Sequence, residues 1–382
     1  MLSELAYIEE TDGLCIYRCF GEGAFLEIPS FVEGRPVTSL ADHVFAAEPS
    51  FALRHVPKKR VKVSLDGAYF PGSSGGSGTV GDFGITGISS GRCAPTAGET
   101  PEAMPMCAER LQSIVLPPTI QRIGDYAFYG CRNLRSVTMS AAMPSLGGGA
   151  FVAANHVREL VLVVEPGLSM PALRHALGEI AYEIEVRVVD TTGRDLLRLH
   201  FPEFYEDAVE NTPARIFEMK FEGTGYRYRQ CFIGDRPDFP RYDKLFYAAT
   251  VQEFPETALQ IAIDRLLYPV GLTPAAKESY LAYLREDMER FAAWCFENRG
   301  DARKHAGDDA SVHAHDDVSD HARDDAMEIL HYLTRETFFD REGLEIFLRY
   351  ARERERADAV SLLGDYRRTH FTRARAGERY RL

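Results

Sequence analysis

IGDYAFYGCRNLRSVTM, residues 123–139, decides the fold. It joins a glycine, an alanine–phenylalanine pair, a cysteine and an apolar L-x-x-V-x-M run. The same order returns one step later, as LGGGAF at 146–151 followed by Val157-x-x-Leu160-x-Leu162. Phe128 and Phe151 are 23 residues apart, and so are Leu134 and Val157. One step back stands Leu111-x-x-Ile114-x-Leu116, with Cys107 close to the projected place of Cys131. Further upstream, VTSLADHVF at 37–45 copies the aromatic half, and Leu53-x-x-Val56 follows with two extra residues. A fixed period of this size predicts a solenoid.

The physics of the unit is readable. L-x-x-L-x-L is a short strand whose apolar positions face the interior, because successive side chains alternate between the two faces of a strand. The alternate positions then face outward: Ser113 and Val115, Ser136 and Thr138, Glu159 and Val161. The G-x-x-A-F part is a tight turn that plugs an aromatic ring beneath the next strand. One unit cannot bury its own apolar face, so stacked neighbours must supply the core. Cys131 falls where a small apolar residue would cap the aromatic layer, and Ala154 holds that place in the next repeat. A free cysteine behaves as a small buried hydrophobe. That reading is preferred to a reactive thiol.

I-G-x-x-A-F-x-x-C-x-x-L-x-x-V at 123–137 resembles the leucine-rich repeat of the BspA type. GEGAFLEIPSFVEGRPVTSLADHVF, residues 21–45, resembles the way such arrays begin. The resemblance spans roughly residues 10–165 and implies a binding scaffold; many members of that family are cell-surface proteins.

Composition narrows the field. Fifty-seven acidic against 44 basic side chains give a net charge of −13 over 382 residues. An acidic surface repels phosphate backbones and anionic lipid, which argues against nucleic acid and membrane partners. The N-terminal stretch is acidic and does not read as a secretory signal. No run approaches the roughly 20 apolar residues of a membrane helix. The seven cysteines are scattered and form no C-x-x-C, as in reduced cytosolic proteins. A cytoplasmic location is therefore expected.

Residues 66–109 interrupt the array with a Gly-, Ser-, Thr- and Pro-rich stretch that cannot bury enough apolar surface to offset chain entropy. Its GSSGGSG lacks the G-K-[ST] of a phosphate loop. After Pro166 the period is lost. SMPALRHALGEIAYEI predicts a short helix with Leu173, Leu177 and Ile180 on one face, and EIEVRVVDTTGRDLLRLHF predicts strand, turn, strand.

Residues 204–249 are dense in aromatics and arginines. Through this region the chain resembles the tail that follows such repeats in some cytoplasmic proteins of gut Firmicutes, a tail without assigned chemistry. Arg215, Tyr228, Arg229 and Tyr242 are a candidate anion and stacking site, with Cys231 a nucleophile if His200 approached it. The alternative is a packed junction that caps the solenoid, with aromatics buried and arginines paired.

The remainder reads as helices. Thr273 precedes Pro274 as a cap, with Leu281, Leu284, Met288, Phe291, Ala292 and Cys295 on one stripe. Asp340 caps a helix with Leu344, Phe347, Leu348 and Ala351 inward, and Ala359, Leu362, Leu363 and Tyr366 face inward on the next. Residues 301–325 are His- and Asp-rich, including His305, His313, His315 and His321. Rigid ligand placement needs a packed surround, which this run lacks, so it reads as a linker and not a metal site.

The sequence therefore predicts an α+β protein: a short leucine-rich-repeat solenoid over 1–165, a mixed cap or junction over 166–250, and an α-helical domain over 251–382. Its expected function is non-enzymatic. It is a scaffold for a protein partner, using the strand face of Ser113, Val115, Ser136, Thr138, Glu159 and Val161. No cofactor and no metal are expected. The alternative is an enzyme or small-ligand sensor with its site at Arg215, Tyr228, Arg229, Cys231 and Tyr242.

Overall fold

The computed structural model describes residues 2–53, 55–62, 104–165, 169–211, 216–296 and 318–371. The chain divides into two compact units, Met1–Glu253 and Phe254–Leu382. The fold is α+β: a two-sheet solenoid lies in the first unit and helices make up the second.

The L-x-x-V-x runs become Ser113–Val115, Ser136–Ser140 and Glu159–Val163, paired in parallel at the period of the repeat. Their sheet runs from Asp195–Phe201 through Ile184–Val189, these three strands and Phe25–Glu27. Ile114, Val137, Leu160 and Val186 form one inward row, each 0% exposed. The opposite sheet carries the short strands Ser145–Leu146 and Arg122–Ile123 beside Arg35–Leu40, then the hairpin Leu2–Glu10 and Gly13–Gly21, then Lys59–Lys62. The coils that begin at Phe25, Ser113 and Ser136 each contribute one strand to each sheet, and the glycine–aromatic segment turns the corner between coil strands.

The corners are stacked in register. Phe45, Phe128 and Phe151 pile face to face, with centroids 5.2 and 5.1 Å apart and ring planes within 12°. The Asp42 carboxylate accepts the Asp125 N–H at 2.9 Å, and the Asp125 carboxylate accepts the Gly148 N–H at 2.9 Å. His43, Tyr126 and Gly149 occupy one repeat position, and all three are left-handed, with φ of 58°, 54° and 66°. Coils this close leave no room for a side chain at Gly124 or Gly147. A Cβ on Gly124 would lie 2.5 Å from the Asp42 backbone nitrogen and 2.6 Å from the Ala41 carbonyl carbon. Gly124→Ala is expected to lower stability by about 1–3 kcal/mol, as overpacking against backbone does; a urea titration followed by circular dichroism reads it.

The interruption lies inside one coil. The Ala108 N–H donates to the Phe45 carbonyl at 2.8 Å, so the chain resumes beside the residue it left. Residues 53–56 are therefore not the repeat strand that the sequence suggests. Val56 N–H bonds the Leu53 carbonyl in a turn, and Leu53 packs on a cluster with Ala6, Cys15, Tyr17 and Ala41. The strand belonging to that coil is Ser113–Val115. The end of the expected 66–109 excursion is part of the fold: Met106 is 0% exposed and its N–H bonds the Cys19 carbonyl. Residues 66–103 lie outside the described residues.

Helix Pro171–Glu179 lengthens the next corner, and Ile184–Val189 then adds in parallel to Glu159–Val163. The hairpin expected around T-T-G closes the sheet, because Asp195–Phe201 pairs antiparallel with Ile184–Val189.

The second unit holds six described helices, among them Pro255–Leu267, which ends before Pro269 as its sequence implies. Thr273 Oγ1 accepts the Ala276 N–H at 3.2 Å, and the Asp340 carboxylate accepts the Gly343 N–H at 2.7 Å, so both expected caps form. The single apolar stripe from Leu281 to Cys295 is split into Pro274–Glu286 and Met288–Phe296. Asp287, extended at φ −141°, breaks it and accepts the Arg290 N–H at 3.0 Å to start the second helix. Phe291, Phe339 and Phe347 form the centre of the helical core.

Candidate functional site

The outward side of the repeat sheet presents two rows. Register places Phe25, Ser113, Ser136, Glu159 and Glu185 in one, and Glu27, Val115, Thr138, Val161 and Arg187 in the other. The alternation that buries Ile114, Val137 and Leu160 turns these residues the other way. All six residues expected on this face are thus brought together, and Ser113, Val115, Ser136, Thr138 and Glu159 are half-buried. Val161 is different. It is only 7% exposed, so its neighbours cover it although it points outward.

Charge is unequally distributed along the face. At one end Arg187 donates to Glu159 at 3.2 Å and to Asp195 at 3.0 Å, while Arg198 donates to Asp195 at 2.6 Å. Ser136 Oγ joins this lattice by donating to Glu159 at 2.8 Å. At the other end stand Phe25, 47% exposed, and Glu27, whose carboxyl is lifted above the ordinary range by burial. Between them lies a strip of short side chains. Sequence reasoning missed Phe25 and Glu27, because their strand precedes Ser113 by more than eighty residues and matches no repeat of its own.

The junction residues are also brought together, but inward. Tyr228, Arg229, Cys231 and Tyr242 are 0, 6, 2 and 2% exposed; Arg215 lies outside the described residues. The Arg229 guanidinium donates to the carbonyls of Ile180 at 2.9 Å, Tyr182 at 2.7 Å and Gly225 at 3.1 Å, and also to that of Pro202. Four of its five N–H groups are thus engaged on backbone. Burial pushes this guanidinium below its ordinary value. Tyr228 and Tyr242 pack edge to face at 4.6 Å. The Tyr242 hydroxyl accepts the His200 N–H at 3.2 Å and donates to the His200 carbonyl, meeting the edge strand Asp195–Phe201 at its unpaired side. His200 Nε2 lies 2.7 Å from Glu183, whereas Cys231 Sγ donates to the Arg227 carbonyl at 3.4 Å. Histidine and thiol therefore bond to different partners. The Tyr228 hydroxyl is buried with no partner among the described residues.

The thiols follow the core reading. Cys131 is 0% exposed and donates to the Phe45 carbonyl at 3.4 Å. Burial pushes the Cys131 and Cys231 thiols up to about 12 and holds Cys19 higher still. Cys107 is half-exposed. With iodoacetamide at pH 8, Cys107 is expected to label roughly a hundredfold or more faster than Cys131 and Cys231, since only thiolate reacts. Peptide mass spectrometry of the folded chain checks this.

Among the described residues no group of three or more His, Cys, Asp or Glu could hold a metal ion; His305, His313 and His315 lie outside them. No described helix is long and apolar enough to cross a membrane.

The model of the BspA type leucine rich repeat region (6 copies) matches residues 104–163, the segment that forms the stacked coils. Those coils are similar to the BspA-type leucine-rich repeat and stack as a solenoid. No curated protein matches the chain. Among solved structures, a leucine rich cell surface protein from Faecalibacterium prausnitzii A2-165 is 15% identical, with a TM-score of 0.22. The match covers 49% of this chain and 41% of that one, so the chain spans about two fifths of its length.

Proposed function

We propose that the protein is a non-enzymatic scaffold that binds a protein partner through the outward face of its repeat sheet. The observation that carries this reading is the pair of outward rows, in which Ser113, Val115, Ser136 and Thr138 sit half-buried and free of core duty between Phe25 and the Glu159–Arg187–Asp195 lattice. Stacked repeats offer such faces because alternate strand positions do not fill the interior. Short side chains at the centre let a partner approach the sheet closely, while Phe25 supplies an aromatic anchor at the rim. A cytosolic location is part of the same proposal, supported by the free thiols of Cys15, Cys19, Cys107, Cys131 and Cys231. The junction around Arg229 is left as a structural cap, because its rings are buried and its arginine is engaged on carbonyls.

The test is a pull-down with the full chain and a Ser136→Arg, Thr138→Glu double variant whose fold is verified by circular dichroism. The partner is expected to be retained by the first and weakened at least tenfold by the second. Equal retention by both removes the strand face from the reading.

A further inference from the structure

On the opposite side of the first unit, the loop before Lys59–Lys62 lies over one face of the N-terminal hairpin, with Leu53 packed on Ala6, Cys15 and Tyr17. Beside it is a half-open pocket of ≈380 Å3. Its walls include the aromatic rings of Tyr17 and Phe20, the ring of Pro105, and three cations, Arg18, Lys58 and Arg60. Among the described residues no aspartate or glutamate lines it.

The three cations are held firmly. Arg18 is 6% exposed, and its guanidinium donates to the carbonyls of His43, Val44 and Ala47 at 3.3, 3.1 and 2.8 Å. Carbonyls satisfy its hydrogen bonds without cancelling its charge. Lys58 sits 4.5 Å from the centroid of the Tyr17 ring and donates to the Leu53 and Val56 carbonyls at 2.7 and 2.9 Å. Arg60 lies 4.8 Å over Phe20 and pairs with Glu4 at 3.4 Å on the rim.

A chain of net charge −13 thus carries a concavity whose charged lining is wholly basic. Low-dielectric walls focus the field of such a cluster, so it attracts anions against the field of the whole molecule. The volume falls in the range of small-ligand sites, and the apolar walls suit a ligand with an organic body. We propose that this cavity binds a small organic anion, its carboxylate or phosphate set against Lys58 and Arg60 and its apolar body against Phe20 and Pro105. The proposal is independent of the strand face.

Titration calorimetry of the full chain with benzoate, phenyl phosphate and inorganic phosphate tests it. Saturable binding of benzoate or phenyl phosphate is expected, and which of the two binds tighter identifies the acidic group. Arg60→Glu is expected to weaken that binding at least tenfold, and Arg60→Gln, which spares Glu4 a like charge, to weaken it severalfold. Lys62→Glu makes the same change of net charge outside the lining and is expected to leave it unchanged. Arg60 is more than half exposed, so thermal melting of its variants should match the parent. No binding of either aromatic anion, binding of inorganic phosphate alone, or equal loss from Arg60→Glu and Lys62→Glu overturns the proposal.

Discussion

Phe128→Ala is expected to destabilise the first unit by about 3–5 kcal/mol, the range for removing a large aromatic side chain from a packed core. Phe128 is 0% exposed and lies between Phe45 and Phe151, stacked on both. Its loss therefore opens a gap with a ring on each side. Neither neighbour can close the gap cheaply. The backbone of each coil is tied to the next, as in the Phe128 N–H bond to the Ala150 carbonyl at 2.9 Å and the Phe45 N–H bond to the Ala127 carbonyl at 2.9 Å. Coils so tied cannot slide together to fill the space. The measurement is a urea titration by circular dichroism, with Phe151→Ala as comparison. Phe151 stacks on Phe128, its one described ring partner, so the smaller loss is expected there. A Phe128→Ala loss under about 1 kcal/mol would show that the coils relax and that the stack is not the core of the repeat.

Arg229→Met is expected to cost about 3 kcal/mol or more. Two effects oppose each other. Removing a buried cation relieves a desolvation penalty of several kcal/mol. It also deletes four hydrogen bonds from a charged donor, each worth about 1.5–3 kcal/mol, and leaves the carbonyls of Ile180, Tyr182, Pro202 and Gly225 without that donor. The second effect is larger because these carbonyls come from three separate segments, and methionine offers no N–H to any of them. Arg229→Lys should recover only part of the loss, since an ammonium cannot reproduce the planar fork. A thermal melt of the three proteins orders them: parent, lysine, methionine. A methionine variant as stable as the parent would mean that the guanidinium does not hold the junction together.

The legible part of this fold is the part that repeats. Phe128 and Phe151, Leu134 and Val157, and the outward Ser136 and Glu159 announce themselves by spacing, because each coil solves the same packing problem with the same residue types. The strand Phe25–Glu27 did not, and neither did the true partner of VTSLADHVF. A chain that leaves at Phe45 and resumes at Ala108 keeps its contacts but destroys the sequence interval by which they would be recognised. Ile184–Val189 was legible as a strand but not as a member of the repeat sheet, because helix Pro171–Glu179 stretches the corner although the strand that follows still pairs in register. At the junction, arginine, tyrosine and cysteine in a short stretch left a site and a packed seam both open to the sequence, and the burial and carbonyl contacts of Arg229 support the seam.

The hydroxyl of Tyr242 has a wider consequence. A stack of coils grows by adding strands, and nothing in its geometry says where to stop. The last strand offers a free edge on which another chain could template itself, the first step toward a fibre. By taking both the N–H and the carbonyl of His200, one phenol blocks that edge near the end of its last strand. The sheet's other edge is the three-residue strand Phe25–Glu27, too short to seed growth. The molecule is in this sense a polymer of its own repeat, terminated at a defined length by a single oxygen atom.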